Sequence, residues 1–379
     1  MSEWKKCPIG EVVTLRQGFA INAKSKHYMS KEETSLPLLR IADMKNGTKE
    51  VFVKEEIPQR FIAHPEDIIY TRTGNVGLVF RNNYGVMHNN CFSVTPNDAD
   101  ELSRDFLYYA LQNKTFFDTA NALARGAAQP DLPHTSFNSI EFAYPSLFVQ
   151  ERIAYILSRY DSLIENYQKQ IKLLEEAAQR LYKEWFVDLH FPGHENRNII
   201  DGVPEGWEKK KVGEVIAKVP RSKQIPTKDY QNEGAIPIID QSRDYIAGYT
   251  DDIESRVESN EPYIVFGDHT RILKYVPFPF AKGADGTQLI MSNNLDLMPQ
   301  CLLFTSLVSV DLSNYSYARH FKYLKEEEIL VPTASIANAF SKHVAKWYAK
   351  IQLNREQLRL LSEARDRLLP KLMSGEIEI

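Results

Sequence analysis

Residues 207–215 read WEKKKVGEV, and residues 4–12 read WKKCPIGEV. Both stretches consist of a tryptophan, five residues and then Gly-Glu-Val, and they start 203 positions apart. A chain of 379 residues has room for two or three domains. The second stretch therefore indicates that the chain starts again near its middle, with two related modules in tandem.

A second pair of matching segments lies at the end of each module. PSLFVQERIAYILSRY from Pro145 aligns with PTASIANAFSKHVAKWY from Pro332, an offset of 187. Between these anchors the copies share little more than an apolar run after a proline. Fixed ends with different middles are what two modules that bind different ligands would show. An old duplication whose copies drifted would look the same, so both interpretations stay open at this point.

The closing segments have the pattern of long coiled-coil helices. No glycine or proline occurs from Gln150 to Trp185, and apolar or aromatic residues recur in alternating steps of four and three, which is typical of a heptad seam. Shifting by 187 places a second seam near the carboxyl end, with Asn354 as a polar member that fixes register. The predicted seam residues are Ile153, Leu157, Tyr160, Ile164, Tyr167, Ile171, Leu174, Leu181, Phe340, Val344, Trp347, Ile351, Asn354, Leu358, Leu361 and Leu368.

Two matching seams in one chain should pack on each other. A pseudo-two-fold axis between the modules would make that interface isologous, so the helices should run antiparallel with one module at each end. A helix of 36 residues is about 54 Å long at about 1.5 Å per residue. Pro370 should end or kink the second helix, and Gly375 is a plausible stop.

The segments between the anchors indicate compact α+β folds. Short runs rich in β-branched and aromatic residues alternate with glycine-containing turns, which predicts the short strands of a mixed or strongly bent sheet. DFLYYALQN from Asp105 and QCLLFTSLV from Gln300 predict one short helix in each module. The predicted boundaries are 1–144 for the first globular domain, 145–194 for the central helix, 195–331 for the second domain and 332–379 for the terminal helix.

Composition and motifs argue against an enzyme, a membrane protein or a disulfide-rich protein. Hydrophobic content is 43% and charged content 25%, and no apolar run approaches the about 20 residues of a membrane span. The amino-terminal stretch lacks a signal-peptide pattern, and Cys7, Cys91 and Cys301 form no metal or redox motif, so we expect a cytoplasmic protein with reduced thiols. Phosphate loops, dinucleotide fingerprints and hydrolase motifs are absent, and no cofactor, metal or catalytic residue is predicted.

What remains is a scatter of hydrogen-bond donors in predicted turns. Arginine, lysine, asparagine and glutamine pair with base edges in the major groove, and Ser, Thr and basic side chains add base and phosphate contacts. For any single residue, a side chain in a solvated loop is the simpler interpretation. The predicted DNA-binding residues are Lys24, Lys26, His27, Arg72, Thr73, Asn75, Arg81, Asn82, Arg125, Gln129, Arg221, Lys223, Gln241, Arg243, His269, Thr270, Arg271, Lys282, Gln288 and Arg319.

Net charge does not support a nucleic-acid partner. Residues 1–144 have a formal charge of −1 and residues 195–331 one of −5, whereas nucleic-acid-binding domains usually carry a basic excess. Basic side chains would have to gather on one face, or a partner would have to supply phosphate contacts.

The layout nevertheless resembles one known family, the specificity subunits of type I restriction-modification systems. The residues that carry the resemblance are the two W-x5-G-E-V openings, PSLFVQERIAYILSRYDSLI, VPEGWEKKKVGEV, YTRTGNVG, VFGDHT and the ending LLPKLMSGEI. They span nearly the whole chain. The second closing segment departs from the pattern, because Ile336-Ala337 stands where the family has Glu-Gln.

The resemblance implies a fold and a set of partners. Two pseudo-symmetric α+β target recognition domains, each a mixed β-sheet with short helices, would be separated by two long antiparallel coiled-coil helices. Each domain would read one half of a bipartite, asymmetric site in double-stranded DNA. The helices would act as a spacer ruler and hold two methylation subunits, which would carry S-adenosylmethionine and modify adenine. Restriction subunits would join through the methylation subunits.

Two other classes of function remain open on sequence grounds. A structural coiled-coil scaffold with two protein-binding modules would show stable self-association and no dependence on nucleic acid. An enzyme with an unrecognised site is the third possibility. Measuring particle size with and without DNA separates the first two classes.

Overall fold

The structure is a computed structural model that describes residues 4–315 and 319–379. The chain divides into two compact units. Unit 1 contains the residues up to Ile164 together with Leu360–Ile379, and unit 2 is Glu165–Arg359. Each long helix therefore contributes one part of its length to each unit.

Unit 1 is built from short strands, short helices and parts of the two long helices. Its strands are β1 (Lys5–Pro8), β2 (Val13–Gln17), β3 (Met29–Ser30), β4 (Leu36–Leu39), β5 (Phe52–Val53), β6 (Ile62–Ala63), β7 (Ile68–Thr71), β8 (Val79–Phe80), β9 (Gly85–Met87), β10 (Cys91–Pro96) and β11 (Glu141–Tyr144). Its short helices are α1 (Ile41–Asn46), α2 (Arg104–Ala110), α3 (Lys114–Leu123) and α4 (His134–Asn138), and the long helix α5 (Leu147–Tyr182) begins here.

Unit 2 is built from the same kinds of element as unit 1. After a π-helical turn at Lys183–Val187 come β12 (Ile199–Ile200), β13 (Val203–Pro204), β14 (Glu208–Lys211), β15 (Ile236–Ile239), β16 (Gly248–Thr250), β17 (Arg256–Val257), β18 (Tyr263–Gly267), β19 (Leu273–Val276), β20 (Phe280–Lys282), β21 (Thr287–Ile290) and β22 (Glu328–Val331). Its short helices are α6 (Val212–Val215), α7 (Gln300–Val308) and α8 (His320–Glu326), and the second long helix α9 (Ala334–Met373) starts in this unit.

In both units, the strand that follows the tryptophan of the opening motif pairs with the strand that leads into the long helix. In unit 1, β1 pairs antiparallel with β11, so that Lys5 lies opposite Tyr144. In unit 2, β14 pairs antiparallel with β22, so that Glu208 lies opposite Val331. β11 and β22 each lead directly into a long helix. The first strand of each module is thus fixed against the strand that feeds its helix, which explains why the two ends of the repeat are retained together.

The middles of the two modules also share a strand framework, although their sequences match poorly. Unit 1 has sheets in the order β2-β10-β7-β8 and β3-β5-β4-β9-β6, and unit 2 has β19-β18-β21 and β16-β15-β20-β17. β7 and β18 each lie between two antiparallel partners. β4 pairs parallel with β9, and β15 pairs parallel with β20. The middle of each module therefore contains two larger sheets, one of which mixes parallel and antiparallel pairs, whereas the sequence predicted a single mixed or strongly bent sheet.

The predicted short helices are present, but the expected number was too small. α2 and α7 coincide with the two predicted segments. Unit 1 additionally has α1, α3 and α4, and unit 2 has α6 and α8. α3 starts after Asn113, whose side chain accepts from the Thr115 amide, and its sequence KTFFDTANAL places Phe116, Ala120 and Leu123 on one face although it contains aromatic and β-branched residues. The packing of Phe116 and Ala120 into the core, rather than local propensity, accounts for this helix.

The long helices pack against each other within each unit, and they run antiparallel in both. In unit 1, Ile153 and Leu157 near the start of α5 share a core with Leu372 and Met373 at the end of α9. In unit 2, Leu174 and Leu181 near the end of α5 pack on the core formed by residues of the first half of α9. All sixteen predicted seam residues are buried or half-buried.

Polar contacts reinforce this pairing. In unit 1, Arg365 donates to Asp161 at 2.9 Å. In unit 2, the buried Asn354 donates to the Gln170 side chain at 3.2 Å, and Arg355 donates to Glu175 at 2.9 Å. These pairs join residues of α5 and α9 that lie about 180–204 positions apart in sequence.

Pro370 was predicted to end or kink the second helix, and the helix ends three residues after it. α9 continues through Pro370 to Met373. The amide that Pro370 lacks would have bonded to the Asp366 carbonyl, and because the helix ends three residues later, the loss of that bond affects only its last turn. Gly375 follows with φ of 73°, the left-handed conformation that commonly terminates helices. Among the described residues, no helix is both long and apolar enough to cross a membrane.

Candidate nucleic-acid interface

The turn after β7 in unit 1 brings together several predicted donors. The Arg72 guanidinium donates to both carboxylate oxygens of Asp131, at 2.7 and 3.2 Å, and to the Gln17 side-chain oxygen at 3.1 Å. The Thr73 hydroxyl donates to Asp131 at 2.6 Å. Burial raises the pKa of Asp131, but the hydrogen bonds from Arg72 and Thr73 and the Arg72 charge outweigh it and hold the pKa below its ordinary value. Arg72 is thus a bidentate anchor for a second loop.

That second loop, residues 125–131, presents exposed side chains next to the turn. The backbone amides and carbonyls of Arg125 and Asp131 bond reciprocally at 2.8 Å, and the Gly74 amide donates to the Pro130 carbonyl at 2.8 Å. Arg125 and Gln129 are exposed. Asn75, in the β7 turn, is also exposed, so this edge of unit 1 offers the exposed guanidinium of Arg125 and two exposed side-chain amides for contact with a ligand.

Arg81 lies elsewhere, against the helix pair. Its guanidinium donates to the Tyr109 hydroxyl at 3.1 Å and to Asp161 at 3.3 Å, and it stacks over the Tyr108 ring at 4.1 Å. Asp161 also accepts from the Tyr109 hydroxyl at 2.6 Å. The segment RNNYG has the composition of a solvent loop, so the sequence could not distinguish this anchoring arginine from a surface donor. Its neighbour Asn82 is exposed, with φ of 59°.

Lys24, Lys26 and His27 form a third location in unit 1. All three are exposed in the segment that precedes β3. The Asn22 side chain accepts from the amides of Lys24 and Ser25, and the His27 ring lies 4.0 Å from that of Tyr28, which packs on the core of the β3-β5-β4-β9-β6 sheet. The segment is therefore an ordered platform carrying two lysines.

In unit 2, the turn after β18 gathers residues from three loops around Gln241. The Gln241 side chain accepts from the His269 amide at 3.1 Å and donates to the Asp285 carbonyl at 2.8 Å. The Thr270 hydroxyl donates to the Gln241 carbonyl at 2.7 Å. A Cβ on Gly286 would lie 2.7 Å from the His269 ring, so only glycine permits this approach. Gln241 is half-buried and links these loops through its hydrogen bonds, whereas His269 and Thr270 are exposed.

The remaining predicted donors of unit 2 are distributed around this turn and beyond it. Arg271 is exposed and adopts φ of 61°, and its guanidinium donates to the Leu312 carbonyl at 3.0 Å. Arg319 is exposed next to His320, whose amide donates to the Asp268 carbonyl at 2.9 Å. Lys223 is occupied by Asp252 at 2.8 Å and Glu254 at 3.4 Å. Of the others, Arg221 and Arg243 are exposed, and Lys282 and Gln288 are half-buried on β20 and β21.

Several residues that organise these turns escaped the sequence prediction. Asp131, Asp240 and Asp268 each hold a turn in place through hydrogen bonds to their side chains. A search for donors could not find them because they are acceptors. A buried acidic residue next to a predicted donor turn, such as Asp268 directly before His269, is the signal that would have identified this class.

The comparisons with known proteins agree with this layout. Residues 1–176 match the family described as type I restriction modification DNA specificity domain. The specificity subunit of the type I restriction enzyme MjaIX from Methanocaldococcus jannaschii is 29% identical over 314 residues, covering 76% of this chain and 72% of that protein. The chain is thus similar to the specificity subunits of type I restriction enzymes, with the family match over residues 1–176.

Further relatives extend the match over the rest of the chain. The putative MjaX specificity subunit from the same organism is 22% identical over 385 residues and covers 92% of this chain and 89% of its own length. Among solved structures, the S subunit of a type I restriction-modification system from M. genitalium aligns with a TM-score of 0.64 at 18% identity, covering 98% of this chain and 96% of that one. That structural likeness shows a shared fold over nearly the whole length of the chain.

Proposed function

We propose that this chain is a specificity subunit of a type I restriction-modification system and that it reads a bipartite, asymmetric sequence in double-stranded DNA. Residues 1–144 form the recognition domain for one half-site, and residues 195–331 form the domain for the other. The helical segments 145–194 and 332–379 set the number of unspecified base pairs between the half-sites. The same helices dock two methylation subunits, and restriction subunits join through those.

One observation carries this proposal. The two modules share a strand framework and a framing strand pair, but different side chains occupy the turn after the equivalent strand, Arg72–Asn75 after β7 and His269–Arg271 after β18. A constant scaffold with variable polar turns is what two readers of different base sequences require. Drift alone would not be expected to keep glycine-bounded donor turns at the same place in both sheets.

The chain itself contributes recognition and assembly in this proposal, and its partners contribute the chemistry. Methylation subunits carry the S-adenosylmethionine and transfer the methyl group, and restriction subunits cleave. The specificity subunit then acts in the cytoplasm as a positioning component. Its acidic modules suit this role, because the methylation subunits can supply the phosphate contacts that dominate affinity.

The decisive experiment is to express the subunit with its methylation subunit and map the modified adenines in the host DNA. We expect one split, non-palindromic motif. Exchanging residues 195–331 for the matching segment of a related subunit should change one half of the motif and leave the other half and the spacing intact. A continuous or palindromic motif would contradict the proposal.

Binding measurements give an independent check. The complex should prefer a duplex with both half-sites over duplexes with either half changed, and its affinity should fall steeply with salt. No preference among duplexes, even with the methylation subunit present, would favour the scaffold interpretation instead.

A further inference from the structure

The segment 240–246 of unit 2 is anchored at its start by a buried carboxylate. Asp240 is 8% exposed, accepts from the Ser242 amide at 2.8 Å and accepts from the Tyr230 hydroxyl at 3.2 Å. The Tyr230 hydroxyl in turn accepts from the Ala284 amide at 2.9 Å. The start of the segment is therefore tied to the loop between β20 and β21.

A buried lysine holds the middle of the same segment. Lys274 on β19 is 4% exposed; its ammonium nitrogen lies 3.8 Å from the Asp240 carboxylate and donates to the Asp244 carbonyl at 2.5 Å. Lysine is almost never fully buried unless it is paired, because removing the ammonium from water is costly. An apolar side chain at this position of β19 would fill the site without that cost.

The far end of the segment is attached to the helix pair. The Tyr245 hydroxyl is hydrogen-bonded to the Tyr275 carbonyl at 2.5 Å and to the Gln352 side chain at 3.1 Å. The Tyr245 ring lies 4.0 Å from the Arg355 guanidinium, which is paired with Glu175. A continuous chain of polar contacts thus runs within unit 2 from α5 and α9 to the turn that contains Gln241.

We propose that Lys274 and Tyr245 are positioning residues that align the segment 240–246 for reading of the second half-site, an inference that rests on the proposed function above. Gln241 joins this segment to the turns at His269 and Asp285, so a shift of the segment displaces all three turns together. The residues act through these turns and need not touch a base. The helix pair, through Gln352 and Arg355, sets the angle at which they are presented.

The ionisation of Lys274 supplies a specific readout. Burial, the largest cause, lowers the pKa of Lys274, and the charge of Arg355 also lowers it, whereas the charges of Asp240 and Asp244 raise it. The resulting pKa is about 8. Among the described residues, the other ionisable groups that line the same cavity are Tyr245, Tyr275 and Tyr348, with Glu175 behind Arg355. Above pH 8 the ammonium loses its proton, and Asp240 loses its cationic partner.

Folding stability should change in the opposite direction. The folded chain releases the Lys274 proton near pH 8, whereas the unfolded chain holds it to about 10.5, so between these values the unfolded state binds more protons and the fold gains stability from this group. A loss of base discrimination between pH 7 and 9 would therefore not be a consequence of destabilisation by Lys274.

The test uses the full subunit in complex with its methylation subunit and compares affinity for the cognate duplex with that for duplexes changed in half-site 1 or half-site 2. Tyr245→Phe keeps the ring beneath Arg355 and removes two hydrogen bonds, and Lys274→Met removes the charge. Both should reduce discrimination at half-site 2 by about tenfold, the weight of one mismatched base pair. Discrimination at half-site 1 should be unchanged.

A matched tyrosine in unit 1 provides the control. Tyr109→Phe removes the hydroxyl that bonds to Asp161 in unit 1, and it should leave half-site 2 discrimination at the wild-type value. Wild-type discrimination at half-site 2 should also fall between pH 7 and 9, while that of Lys274→Met should not change with pH. If Lys274→Met does not fold, the half-site 2 discrimination of Tyr245→Phe alone tests the inference.

The outcomes separate this inference from the function on which it rests. Unchanged half-site 2 discrimination in Tyr245→Phe, with a wild type that discriminates, overturns the inference and leaves the proposed function intact. An equal loss of affinity for every duplex also overturns it, because that result indicates a purely structural role. A wild-type complex that discriminates at neither half-site overturns both.

Discussion

At the scale of single residues, the first closing motif has a glutamine for a structural reason. Gln150 is fully buried at the start of α5; its oxygen accepts from the Ser103 amide at 2.8 Å and its nitrogen donates to the Glu101 and Pro145 carbonyls at 2.9 Å. It therefore fastens the first turn of α5 to the start of α2. Ala337 occupies the aligned position in unit 2, where it is buried without an amide to satisfy.

The buried amide of Gln150 predicts that alanine substitutions at two neighbouring residues have unequal effects on stability. Gln150→Ala should lower the free energy of unfolding by about 2 kcal/mol, because buried backbone groups lose their partners. The exposed neighbour Glu151→Ala, on the same helix, should change it by less than about 0.5 kcal/mol. Urea unfolding followed by circular dichroism measures both, and equal effects would show that the Gln150 amide is dispensable.

The sequence predicted residue types better than residue roles. Arg72, Arg81 and Arg125 have similar turn-like contexts, yet Arg72 is anchored on Asp131, Arg81 on Asp161, and Arg125 is exposed. The partner carboxylates lie 59 and 80 positions away, so only the fold could reveal them. Base contacts at any of the predicted positions remain a prediction.

At the scale of elements, the heptad pattern predicted the helix pair because the period of a seam is a local property of the sequence. The strand framework was not predicted, because the parallel pairs of β4 with β9 and β15 with β20 join segments about 40–50 positions apart. Nothing local in the sequence identifies such partners. The repeated opening motif pointed to a shared module, and the pairing of β1 with β11 and of β14 with β22 supplies its cause.

The polar seam residue Asn354 yields a prediction at this scale. It is fully buried, and within the described part of the chain its side-chain oxygen has no hydrogen-bond partner. Asn354→Leu should therefore raise the free energy of unfolding by about 1 kcal/mol, since an unsatisfied buried group is removed. It should also loosen the register of the helix pair, which is the role of buried polar seam residues in coiled coils.

The partner of Asn354 offers the opposite change. Gln170→Leu removes the acceptor of the Asn354 amide. The side-chain nitrogen of the buried asparagine then lacks a partner, as its oxygen already does, so this variant should be less stable than the wild type. Urea midpoints rank the three proteins, and light scattering reports alternative assemblies in Asn354→Leu. A destabilised Asn354→Leu would mean that the Gln170 contact outweighs the unsatisfied oxygen.

At the scale of the whole molecule, the proposed function assigns different tasks to the two kinds of structure. The modules present polar turns whose side chains differ, and the helices keep one seam through both units. Changes in the turns should therefore alter which bases are read, and changes in helix length should alter only the distance between them. This separation can be tested because the heptad period allows length to change without disturbing the seam.

Deleting seven residues in phase from α5, with a matching seven-residue deletion in α9, should shorten each helix by about 10 Å and keep every remaining seam position facing its partner. With base pairs spaced by about 3.4 Å along each strand, the expected result is a spacer shortened by about three base pairs and unchanged half-sites. Adenine-methylation mapping of cells that express the shortened subunit with its methylation subunit measures both quantities. A matched deletion of five residues turns the remaining seam positions to nearly the opposite face of each helix and should abolish methylation. Unchanged spacing in an active seven-residue variant would show that something other than helix length sets the distance between the half-sites.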